Sequence, residues 1–92
     1  MSIKLIVTDM DGTLLNYEDE ISQENTEALI SAQKRGIQVI LASGRSHRRL
    51  LPYAQKLHLS EYGGLLIEVN GMAIYDPKTQ KRKIFEQLTK KE

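Results

Sequence analysis

The apolar residues of this chain fall into short, separated runs whose spacing changes along the sequence. Residues 3–8, IKLIVT, are nearly continuous in apolar and β-branched side chains, which predicts a strand buried on both faces. The run stops at a polar, Gly-containing segment, residues 9–16. A helix is expected from about Gln23 to Arg35. Ser22 stands where a hydroxyl can accept from the free N–H groups of a first turn, and Ala28, Leu29 and Ala32 give one apolar stripe. Gly36 occupies the place where a left-handed residue closes a helix. A second strand, residues 37–42, follows directly. Ser43-Gly44-Arg45-Ser46 then leads into a helical stretch at roughly residues 47–57. Pro52 lies inside it, lacks the helical N–H and crowds the preceding turn, so a kink or restart is expected there. The third strand is residues 65–69. Asn70-Gly71 fits a two-residue hairpin turn in which both residues take positive φ, and residues 72–75 form the return strand. Asp76-Pro77 opens another turn, and residues 83–85 are a candidate for one more strand.

Strand, helix, strand, helix, strand, with apolar strands of the parallel type, predicts an α/β sheet joined by right-handed crossovers. Such sheets bind ligands beyond the C-terminal ends of their strands. Asp9 and Asp11 lie just past strand one and Ser43 just past strand two, so both groups belong to the same rim.

Composition narrows the class further. Ninety-two residues suffice for one small domain, and 13 basic against 12 acidic residues give a net charge of +1, without the electrostatic footprint of a nucleic-acid binder. There is no Cys, hence no disulfide and no thiolate metal site. The N-terminal apolar run is short and is interrupted by Asp9 and Asp11, unlike a signal segment or a membrane span. These features favour a cytoplasmic protein without nucleic-acid or membrane partners. His47 and His58 lack metal-ligand spacing and read as surface residues. Lys81-Arg82-Lys83 reads as a solvated basic cluster, and Met10 as a packing residue.

The carboxylates Asp9 and Asp11, two residues apart at the end of a strand, can face one site. One can be a nucleophile forming an acyl phosphate. The other can protonate the leaving oxygen and then activate water. A hard cation such as Mg²⁺ would offset the repulsion between carboxylate and phosphate. Gly12 lets the backbone turn sharply. The competing interpretation is a solvated Asp/Gly turn; the buried-type strand before it and Thr-Leu-Leu after it favour the chemical one. The Ser43 hydroxyl and the backbone N–H groups of Gly44 and its neighbours, at a helix start, suit a phosphate oxygen. Arg45 can add a charge-assisted contact. The alternative is a simple N-cap serine beside an exposed arginine.

At these residues the pattern becomes that of a family. TDMDGTLL, residues 8–15, resembles the first motif of haloacid dehalogenase-like hydrolases, and LASGR, residues 41–45, resembles the second. IQVILASGR followed by EVNGMAIYD is similar to the Cof-type branch, whose members hydrolyse sugar phosphates and other small phosphate esters. The resemblance implies a partial Rossmann-like three-layer core with parallel strands plus a β-hairpin. Residues 1–86 would be the N-terminal half of a catalytic core and residues 87–92 a linker toward an absent cap domain. It implies Asp9 as nucleophile and Mg²⁺ ligand, and Asp11 as acid/base and Mg²⁺ ligand through its carbonyl. It further implies Ser43 as holder of the transferring phosphoryl group, Thr13 as support of the loop, and Asn70 as part of the rim. Family members are much longer and carry a later Lys and a later acidic pair. A strand from that later half pairs with strand one. Without it, IKLIVT is an open edge that invites self-association, and the piece alone is expected to be inactive. Two other classes compete. One is a non-catalytic remnant or interaction module that binds phosphate or metal weakly. The other is a receiver-type domain, disfavoured because its phosphoacceptor sits on the third strand, where this chain has no Asp.

Overall fold

The computed structural model of the chain describes residues 4–10, 14–15, 20–70 and 72–84. Its elements are β1 (Leu5–Asp9), α1 (Gln23–Lys34), β2 (Gln38–Ser43), α2 (His47–Lys56), α3 (Leu59–Tyr62), β3 (Leu65–Glu68), β4 (Ala73–Asp76) and β5 (Lys81–Ile84). They form one five-stranded sheet in the order β1-β2-β3-β4-β5. The first three strands are parallel and the last two pairings antiparallel. This is the expected α/β class, with helical crossovers between parallel strands and hairpins appended. No described helix is long and apolar enough to cross a membrane.

Both ends of α1 follow from local chemistry. The Ser22 Oγ accepts from the Asn25 N–H at 3.1 Å. At the other end Gly36 has φ +92°. Its N–H donates to the Gln33 carbonyl and that of Ile37 to the Ala32 carbonyl, the paired bonds that close a helix through a left-handed residue. Of the expected apolar stripe, Leu29 packs against the core and Ala32 is half-buried. Ala28 is exposed, and the buried positions are Thr26 and Gln33. Both polar side chains make bonds that help to offset their burial: Thr26 Oγ1 donates to the Ser22 carbonyl, and Gln33 Nε2 to the Leu57 carbonyl at 2.7 Å.

Helix α2 does not restart at Pro52; it runs on to Lys56. The break comes at His58, whose φ of +59° is left-handed, and it starts the short α3, which the sequence pattern does not announce. The β3–β4 connection also differs from expectation. Glu68 pairs with Ala73, so the loop has four residues, and the Met72 N–H donates to the Val69 carbonyl. Positive φ falls on Met72, at +50°, and not on Asn70; Gly71 lies outside the described residues. The last strand begins at Lys81, two residues before the expected start.

The core lies on one side of the sheet. Val39, Leu41 and Leu66 from the strands meet Leu50, Ala54, Leu57 and Leu59 from α2, α3 and the turn between them, and Met10 is fully buried among them. Strand alternation sends the partner set, Leu5, Val7, Ile40, Leu65, Ile67 and Ile74, to the opposite face. There Leu5 is 50% and Val7 56% exposed. Strand β1 is therefore not buried on both faces: among the described residues it has one neighbour, β2, and one helical layer behind it. Of the three layers that the resemblance implies, the sheet and one helical layer are present among the described residues.

Candidate active site

Parallel pairing sets the geometry of the rim. Asp9 is the last residue of β1 and pairs with Ala42, while Ser43 is the last residue of β2 and pairs with Glu68 of β3. All three thus stand at the C-terminal end of the sheet. The one-residue step between Asp9 and Ser43 puts their Cβ atoms on opposite faces. Asp9 is exposed, and Ser43 is buried toward the helical layer. Beyond Asp9 the Leu15 N–H donates to the Met10 carbonyl at 2.9 Å, and Leu15 pairs with Ile21 in an isolated antiparallel bridge. The candidates Asp11 and Thr13, with Gly12, lie outside the described residues, as does the expected linker at 87–92.

The loop from Ser43 to Ser46 is held by its own polar groups. Ser43 Oγ accepts from the Arg45 N–H at 3.0 Å, which leaves the hydroxyl proton available for an oxyanion. Ser46 is the N-cap of α2 but makes no side-chain cap bond, and the first turn of α2 contains no acidic residue. The Arg45 guanidinium lies against Tyr53, with Nη1 3.4 Å from the phenol oxygen and Cζ 5.9 Å from the ring centroid. Asn70 joins the rim, donating from Nδ2 to the Gly44 carbonyl at 3.4 Å. A Cβ on Gly44 would lie 2.9 Å from that Nδ2, so a larger residue there would displace the Asn70 amide.

Two residues read as solvated are instead tied to a buried carboxylate. Glu68 is 4% exposed, and its carboxylate accepts from Arg82 Nε at 2.7 Å and Nη2 at 3.3 Å. His47 Nδ1 stands 3.2 Å from the same carboxylate, and the imidazole stacks on Tyr75 with centroids 4.3 Å apart. His47 and Arg82 are therefore not simply surface groups. Their partner lies 21 and 14 residues away in sequence, and no local pattern marks such a contact. The Arg82 hydrogen bond holds the Glu68 carboxyl below its ordinary value of 4.5, against burial, which raises it; a hydrogen bond from the His47 backbone adds to the lowering.

A depressed carboxyl contributes stability that is present above its unfolded value and is lost as pH falls through its folded value. The melting-temperature difference between the parent chain and Glu68→Gln should thus be present at about pH 6 and shrink below about pH 4. Thermal melts across that range check this; a difference that stays constant would mean that the Glu68 charge does not stabilise the fold.

Asp9 offers the hard oxygen donor that Mg²⁺ takes. The described residues contain no group of three His, Cys, Asp or Glu side chains that could hold a metal ion.

Comparison with known proteins supplies the family. The model of the haloacid dehalogenase-like hydrolases matches residues 6–92. Phosphatase YwpJ of Bacillus subtilis is 40% identical over 76 residues, 83% of this chain and 26% of YwpJ. The 5-amino-6-(5-phospho-D-ribitylamino)uracil phosphatase YcsE of the same organism is 43% identical over 76 residues, 83% of this chain and 29% of YcsE. Among solved structures, a haloacid dehalogenase-like hydrolase from Bacteroides thetaiotaomicron superposes with a TM-score of 0.84 at 41% identity, covering 90% of this chain and 31% of that one. The chain spans between about a quarter and a third of the length of these relatives. The aspartate that ends β1, the serine loop that ends β2 and the match over residues 6–92 agree, and the chain belongs to the haloacid dehalogenase-like hydrolase family.

Proposed function

We propose that these residues form the nucleophile-bearing part of a Mg²⁺-dependent phosphoric monoester hydrolase acting on a small phosphorylated metabolite such as a sugar phosphate. The observation that carries this reading is the placement of Asp9 and Ser43 at the C-terminal ends of adjacent parallel strands, where α/β sheets bind ligands. The relatives named as phosphatases support the reaction class.

In the proposed reaction an Asp9 carboxylate oxygen attacks phosphorus and the bond to the ester oxygen breaks. Asp11 gives its proton to that leaving oxygen. Asp11, now a carboxylate, takes a proton from water; the water oxygen attacks the aspartyl phosphate, releasing phosphate and restoring Asp9. The Ser43 hydroxyl and the amides of the loop that follows hold the phosphoryl oxygens, with Arg45 adding positive charge at the same loop. Mg²⁺, which the family resemblance implies beside Asp9 and Asp11, would offset the negative charge of carboxylate and phosphate.

The test is Mg²⁺-dependent turnover of p-nitrophenyl phosphate or a sugar phosphate by a protein carrying these residues together with the remainder that its relatives have. In that protein Ser43→Ala removes one charge-assisted hydrogen bond, worth about 1.5–3 kcal/mol, and should slow turnover roughly ten- to a hundred-fold. Steady-state kinetics check the size. A loss as large as that from replacing Asp9 would assign Ser43 more than an oxyanion contact.

A further inference from the structure

Three consecutive residues of the β3 end hold the Ser43–Ser46 loop. The Val69 N–H donates to the Ser43 carbonyl at 2.8 Å. Asn70 reaches the Gly44 carbonyl. Glu68 takes His47, the first residue of α2, at the far end of the loop. Of the three, Glu68 is the one with its own anchor. Arg82 crosses diagonally over β4 to reach it, since Arg82 pairs with Tyr75 whereas Glu68 pairs with Ala73. The small side chain of Ala73 leaves room for that crossing. A carboxylate paired with arginine is ionised and can only accept. His47 Nδ1 therefore carries the proton in this contact, which fixes its tautomer, while the stack on Tyr75 fixes the ring plane.

We infer that Glu68 is a positioning residue of the phosphate loop: held by Arg82, it clamps His47 and thereby sets the direction in which the amides of Gly44, Arg45 and Ser46 point. This deepens the phosphatase reading of that loop and rests on it. Glu68 touches no substrate in this arrangement. Its effect is preorganisation, because a loop whose donors already face the oxyanion spends less binding energy on ordering itself.

The test uses the 92-residue chain, ¹⁵N-labelled, with inorganic phosphate as the probe. Two quantities are read at residues 44–47: backbone order from relaxation, and phosphate affinity from the titration of amide shifts. Glu68→Gln keeps the shape and removes the charge. It should lower the order of these amides and weaken phosphate roughly tenfold, with the order of β1, β2 and α1 unchanged. His47→Ala removes the imidazole contact but keeps the backbone hydrogen bond from His47 to Glu68; it should lower both quantities in the same direction by less, and it serves if Glu68→Gln fails to fold. His47→Asn places an amide nitrogen near the position of Nδ1 and should restore both quantities toward the parent values. Unchanged loop order and affinity in Glu68→Gln and His47→Ala would overturn the inference, as would a failure of His47→Asn to differ from His47→Ala. If phosphate moves no amide of residues 44–47 in the parent, the phosphatase reading of the loop fails, while loop order in the same variants still decides whether Glu68 positions it.

Discussion

Asp9→Asn should abolish phosphatase turnover in a protein that carries these residues with the remainder its relatives have. Asparagine keeps the size and shape of the side chain and removes the negative charge that makes it a nucleophile. If the reaction passes through an aspartyl phosphate, Ser43 does not substitute for that oxygen, because its hydroxyl is neutral and already accepts from the Arg45 N–H. Removing a nucleophile costs on the order of 10⁴-fold or more in kcat, beyond the ten- to a hundred-fold expected for Ser43→Ala. The folded state should not suffer, since Asp9 is exposed at a strand end. The measurement is kcat for p-nitrophenyl phosphate with Mg²⁺, alongside a thermal melt of parent and variant. Undiminished turnover removes Asp9 from the mechanism, and a loss that tracks a lowered melting temperature assigns it to unfolding.

What could be read from the sequence was what depends on neighbours in sequence. Continuous apolar runs placed β1 and β2 within two residues, Ser22 and Gly36 marked the ends of α1, and the order of elements placed Asp9 and Ser43 at one rim. The failures share a cause. Thr26 and Gln33, outside the expected apolar stripe, are buried because the Ser22 and Leu57 carbonyls accept from Thr26 Oγ1 and Gln33 Nε2. Pro52 lies within an unbroken helix, and His58 makes the turn that proline was expected to make. Asn70 spends its amide on Gly44, on another loop, and not on a tight hairpin. Glu68, His47 and Arg82 come from β3, α2 and β5, and only the folded sheet brings them together. The polar network behind the loop was thus invisible to local patterns, whereas the strand-end positions of Asp9 and Ser43 followed from the order of elements alone.

The two edges of the sheet are treated differently, and this underlies the last expectation. The β5 edge carries Lys81, Arg82 and Lys83, all exposed; charged side chains, lysine above all, keep an edge from pairing with another chain. The β1 edge, Leu5-Ile6-Val7-Thr8, carries no charge within these four residues, and Leu5 and Val7 are half exposed beside the half-buried row of Ile40, Leu65 and Ile67. We propose that the 92-residue chain by itself associates through β1, with a second copy adding its own β1 to the open side. Val7→Lys places a charge in the middle of that strand on the bare face, where it faces solvent in a monomer and would be forced against apolar side chains in a pair. Light scattering over a concentration series should show masses above that of one chain for the parent and a shift toward one chain for Val7→Lys. The same samples should show no significant turnover of p-nitrophenyl phosphate, because the family resemblance implies a later lysine and a later acidic pair at the site, and transition-state electrostatics is usually the largest catalytic contribution. A parent that remains monomeric at every concentration would refute pairing through β1. Turnover lost on both Asp9→Asn and Val7→Lys would instead make the paired chains the active species, each completing the other's site across that edge.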